Sequence, residues 1–130
     1  MRALIRLALV NDATLQSLGV TAAGVVMGEV DSIEERPFLN LRWGATLPGL
    51  DVVSRRTLDI WVHDQGTDYE AKVDPIIRRI HTILAGLEAT PHTSGYLVKA
   101  EWTGDSGDLA DDGHGTITRT TSYSLVGTGQ

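Results

Sequence analysis

Between positions 58 and 87 the spacing of apolar residues changes period, and that change marks the central unit of the chain. Leu58, Ile60 and Val62 alternate with Asp59, Trp61 and His63, the period of two of a half-buried strand. His63-Asp64-Gln65-Gly66-Thr67-Asp68 interrupts the pattern with turn and capping residues. Tyr69, Val73, Ile76, Ile77, Ile80, Ile83, Leu84 and Leu87 then recur three or four apart, which predicts an amphipathic helix. Asp68, Glu70 and Asp74 come early in it and Arg78, Arg79 and His81 late, an order that opposes the helix dipole. Asp74 also precedes Arg78 by four residues, the favourable direction for an ion pair on a helix. Pro75 leaves two readings: a helix that starts there with Asp74 as its cap, or a first turn from Tyr69 kinked at the proline.

The same patterning extends to both sides. Ala3, Leu4, Leu7 and Ala8 form a helical stripe; Asn11-Asp12 ends it and caps a short second helix over 13–18, which Gly19 stops. Positions 20–30 are apolar but rich in Ala and Gly, and fit a strand or a loop equally. Positions 31–35 read as an acidic turn. A strand is predicted over 38–43, with Leu39, Leu41 and Trp43 on one face and Phe38, Asn40 and Arg42 on the other. It pairs with 56–63 as an antiparallel hairpin whose tip, 44–54, is long enough to suggest a functional loop. Positions 88–95 read as a loop. A third strand over 96–103 places Tyr96, Val98, Ala100 and Trp102 together. An acidic, Gly-rich loop over 105–115 leads to the last strand, 115–126. There Ile117, Thr121, Tyr123 and Leu125 face one way and Thr116, Thr118, Thr120, Ser122 and Ser124 the other. The last residues, 127–130, read as a loose tail. The prediction is a single α+β domain over 1–130: a mostly antiparallel sheet of about four strands with helices on one face.

Composition narrows the function. A chain of 130 residues buries roughly two thirds of its unfolded surface, enough for one core. It contains no cysteine, which excludes disulfides, zinc–thiolate sites and thiol catalysis. The net charge of −6 argues against wrapping nucleic acid, whose affinity rests on many phosphate contacts, but suits a surface past which DNA slides. No apolar run reaches the length of a membrane span, and Arg6 interrupts the only stretch that resembles a signal sequence.

Each candidate for chemistry has a plainer alternative. Gly104-Asp105-Ser106-Gly107 matches the tetrapeptide around a serine protease nucleophile, but Asp108 replaces the next glycine, and a triad is defined by geometry rather than by four residues. A turn is the simpler reading. Asp105, Asp108, Asp111 and Asp112 form a carboxylate cluster without the alternate spacing of a calcium loop. His63, His81, His92 and His114 have no metal-ligand spacing; His63 reads as a strand-end residue and His81 as part of the helix's polar face. Catalysis, a cofactor and a metal are therefore not expected. The hydroxyl-rich face of the last strand fits either solvent or a wet surface against another chain. Trp61, on the polar face of its strand, calls for a cover, and a second helical layer would supply one. A neighbouring subunit would also serve, since aromatics concentrate in interface cores. In a ring, Arg55-Arg56 and Arg78-Arg79 are placed to meet the acidic 105–112 segment of the next subunit.

Leu58-Asp59-Ile60-Trp61-Val62-His63-Asp64, then Asp68-Tyr69, then the helix bearing Ile76, Ile80 and Ile83-Leu84 resemble the tail terminator family of long-tailed, siphovirus-type bacteriophages. Glu101-Trp102-Thr103-Gly104, Ser106-Gly107-Asp108-Leu109, Asp111-Asp112 and the strand 116–123 with Arg119 inside extend the likeness over about 56–126. It implies an α+β structural protein of the virion that assembles as a homo-oligomer, a six-membered ring at the tail–neck junction. Such a ring caps the head-proximal end of the tail tube, stops its polymerisation and meets the head connector while DNA passes through its hole. On that reading the acidic loop at 105–112 faces the hole or the neighbouring subunit, and Leu47, Pro48, Leu50 and Val52 of the long tip contact the tube or connector. The alternatives are a head-closure or connector protein of the same neck and, from another class, a small cytoplasmic enzyme or ligand-binding domain.

Overall fold

The computed structural model describes residues 2–28, 37–45, 47–48, 54–88, 90–92, 95–111 and 115–128. Helices α1 (Arg2–Val10) and α2 (Ala13–Ser17) open the chain. Strands β1 (Val25–Met27), β2 (Phe38–Trp43), β3 (Leu47–Pro48) and β4 (Ser54–Asp64) follow. The single turn α3 (Tyr69–Lys72) and the long helix α4 (Asp74–Leu87) come next. Strands β5 (Thr90–His92), β6 (Gly95–Asp105), β7 (Leu109–Asp111) and β8 (Thr116–Thr128) complete the described fold.

The strands form one sheet in the order β1-β2-β4-β8-β6-β5, with β3 beside β4 and β7 beside β8. Among the described strand pairs only β1–β2 is parallel; a single parallel bridge also joins Glu88 to Leu97. The four strands expected from the sequence are its long members. The additions β1, β3, β5 and β7 are two or three residues each, too short to show a period. The predicted hairpin pairs Phe38 with His63 through to Trp43 with Leu58, and β8 pairs with β4 along its whole length. Positions 88–95 and 105–115, read as loops, contribute β5 and β7. Because β6 and β7 both lie along the side of β8 away from β4, they form one line along it, interrupted only at 106–108.

All the long helices cover one face. Leu39 and Leu41 of β2, Leu58, Ile60 and Val62 of β4, and Ile117, Tyr123 and Leu125 of β8 pack with Leu4, Ile5 and Leu9 of α1 and Ile76, Ile77, Ile80 and Leu84 of α4. Asp12 caps α2, accepting the Leu15 amide at 2.9 Å, and Gly19 ends it with φ of 98°, a conformation that favours glycine. Asp68 caps α3 by accepting the Ala71 amide at 3.0 Å. The break falls at Val73, so Asp74 is the first residue of α4 rather than its cap, and Pro75 sits in the first turn, where no amide hydrogen is needed. The helix runs on to Leu87, which leaves Arg78, Arg79 and His81 in its middle, beyond reach of the dipole at its end. Asp74 pairs not with Arg78 but with Arg119 of β8.

Strict alternation fails in β6. Leu97 pairs with Gly127 and Lys99 with Val126, so one extra residue bulges out, and Leu97 and Ala100 share the helix-covered face. A second shift follows between Trp102 and Gly104, where Gly104 has φ of 148°. It turns Trp102 and Asp105 to the same side.

Candidate interaction surfaces

The two edges of the sheet differ in charge. Trp43, Leu58, Tyr123 and Trp102 form one row across the helix-covered face, from β2 to β6. At its β2 end, strand alternation separates the arginines. Arg55 is exposed, whereas Arg56 is 7% exposed and donates to the Gly44 carbonyl at 3.0 Å. The Arg56 guanidinium lies 5.2 Å from the centre of the Trp43 ring and that of Arg2 lies 5.9 Å away, close enough for cation–π attraction. Burial, and then the charge of Arg2, pushes the Arg56 pKa down. The Arg56 Nε and the Trp43 Nε1 are buried without a hydrogen-bond partner. Arg2, Met27, Gly28, Leu41, Arg42 and Trp43 line an open pocket of about 330 Å³ beside them. Among the described residues, no carboxylate lies within ion-pair distance of Arg2, Arg42, Arg55 or Arg56.

At the β6 end the acids predominate. The Trp102 indole N–H donates to Asp105 Oδ1 at 2.9 Å, and the His81 ring sits 5.2 Å from it. Even so, Trp102 is 54% exposed. His81, expected on the polar face of its helix, is half-buried against Trp102, Tyr123 and Thr121. Burial raises the Tyr123 pKa to about 12, with a smaller upward contribution from Asp105. Asp108, its side chain 60% exposed, approaches Arg119 at 3.6 Å. Asp111 lies 3.7 Å from His63. The acids therefore diverge to different bases along the edge strand rather than converging on one point. Asp112 lies outside the described residues.

Ser106 has a structural role. Its amide donates to the Thr120 carbonyl at 2.8 Å and its hydroxyl accepts the Thr120 amide at 2.9 Å, so it bridges the gap between β6 and β7. No described histidine hydrogen-bonds that hydroxyl, and the tetrapeptide is part of the edge.

The remaining expected contacts scatter. Arg79 pairs with Asp12 of its own chain at 2.7 Å, and its guanidinium holds the Asp12 carboxyl below the usual carboxylate pKa. Arg78 is exposed. Trp61 is partly exposed on the face away from the helices, between Asn40 and Thr120. His63 is buried on that same face, stacked on Phe38 at 4.3 Å and bonded to Thr116 Oγ1 at 2.8 Å. Leu47 and Pro48 form β3 against Arg55 and Ser54; Leu50 and Val52 lie outside the described residues. Sequence reasoning missed Arg2, Arg42 and Trp102 as surface features. The unpaired arginines give no local signal, and strand alternation places Trp102 on one face with Tyr96, Val98 and Ala100 without showing that it is exposed.

No helix among the described residues is long and apolar enough to cross a membrane. No protein-family model matches the chain, and no curated protein matches its sequence. Among solved structures, the chain is similar to a component of the virion of a native gene transfer agent particle, with a TM-score of 0.69. The match covers 96% of this chain and 92% of that one at 11% identity, and is therefore a likeness of fold.

Proposed function

We propose that this chain is a structural protein of a phage-like virion, and within it a tail terminator: a ring that caps the head-proximal end of the tail tube, stops its growth and joins it to the head connector. The observation that carries this reading is the fold shared with a virion component over nearly the full length of both chains. The resemblance of 56–126 to tail terminators supports the finer role. So does the chemistry. A closed ring repeats one heterologous interface, which requires two different patches on each subunit, and the two sheet edges here differ in charge. A net charge of −6 suits a ring that DNA crosses without being held.

The test is deletion of the gene in its source phage, followed by electron microscopy of the particles. Overlong or ragged tails are expected. Normal-length tails lying apart from filled heads would instead assign the chain to head–tail joining, and intact virions would contradict both roles.

A further inference from the structure

We propose that successive copies in the ring dock edge to edge, with Trp102 and its flanking acids seating on the arginine-lined pocket at Trp43 of the next copy. This deepens the ring reading and rests on it. The occupant of the pocket is thus a second copy of this chain.

Five observations lead there. The two patches end the same cross-sheet row, at β2 and at β6, so a rotation about a ring axis brings one against the other. Their charges are complementary. Arg2 and Arg42 are exposed and lack a described acidic partner, while Glu101 and Asp108 are exposed on the opposite edge. Trp102 is also held in place before any partner arrives, by its bond to Asp105 and its contact with His81. A fixed, half-exposed tryptophan loses little conformational freedom on burial and is the residue type that most often dominates an interface. The pocket, about 330 Å³, is at the small end of the range for ligand clefts and has an aromatic wall in Trp43. The Ala100 amide donates to the Glu88 carboxylate at 2.9 Å; beyond it β6 has no described strand on its outer side, which leaves the stretch around Trp102 open to a neighbour.

The test uses two charge-reversed variants of the full chain. One carries Arg2→Glu and Arg42→Glu; the other carries Glu101→Lys and Asp108→Lys. Sedimentation velocity is run on the wild type, on each variant and on their equal mixture, with circular dichroism melts as a check on folding. The wild type should form rings and each variant alone should stay monomeric. The mixture should form rings again, because alternating copies restore every contact. Trp102→Ala should weaken assembly by roughly thirtyfold or more. Rings from either variant alone, or a monomeric mixture beside an assembling wild type, would overturn the proposal while leaving the ring reading intact. A monomeric wild type would overturn it too, and the terminator role would then rest on the deletion experiment.

Discussion

Ile60 and Trp61 are neighbours on β4, and they face opposite sides of the sheet. Ile60 is fully buried beneath the helices, in a row with Leu41 and Thr121. Trp61 stands between Asn40 and Thr120 on the other side, and Asn40 Oδ1, Thr118 Oγ1 and Thr120 Oγ1 on that side are buried without hydrogen-bond partners. Burying apolar surface stabilises a fold; burying a polar atom without a partner costs it stability. The helix-covered face therefore carries most of the apolar burial that stabilises the fold, although Trp43 Nε1 and Arg56 Nε are unpartnered there too; the second face is the more polar of the two, with Phe38 stacked on His63 as its apolar anchor.

Substitutions on the two faces test that difference. The largest effect is expected for Ile60→Ala, which leaves a cavity in the core and should destabilise the protein by about 2–5 kcal/mol in urea unfolding; a loss below about 1 kcal/mol would contradict the placing of stability on that face. Gly104→Ala comes next. A side chain at φ of 148° is strained by roughly 1–3 kcal/mol, and the bulge that orients Trp102 and Asp105 should relax, visible as a change in Trp102 fluorescence.

Asp12→Asn tests the helix layer by pH. The carboxyl of Asp12 is held below its ordinary pKa by Arg79, so its contribution is present above the unfolded value of about 3.9 and is lost as the pH falls through the lower folded value. The wild-type melting temperature should therefore drop more steeply than that of the variant in acid, from about pH 4 downward. Parallel curves would mean that the pair contributes nothing. The smallest effect is expected on the second face. Thr118→Val and Thr120→Val each remove a hydroxyl that has no partner, and should be neutral or stabilising by up to about 1 kcal/mol. A loss as large as that of Ile60→Ala would erase the contrast between the faces.

The same contrast explains what the sequence disclosed. One-sided burial writes itself as a period, so the strands at 38–43 and 56–63 and the helix through Ile76, Ile80 and Leu84 were legible, as was the capping role of Asp12. Features set by distant partners were not. Strand β1 exists because Val25–Met27 meets Leu39–Leu41, and a three-residue strand has no period of its own. The bulge after Leu97 reverses the alternation of β6 without any local mark. Asp74 looked like a partner for Arg78 and found Arg119, 45 residues on. Arg55 and Arg56 read as one basic pair, although a strand necessarily sends them to opposite faces. The interaction surfaces depend on such long-range placements, and for that reason Trp102 and the unpaired arginines emerged only in three dimensions.

Cryo-electron microscopy of the head–tail junction in particles that carry this protein decides whether the ring exists and how its copies meet. A closed ring of this chain is expected at the head-proximal end of the tail tube, with the β6–β7 edge of each copy against the Trp43 edge of the next. Absence of the chain from the junction, or its presence there as single, unjoined copies, would contradict it.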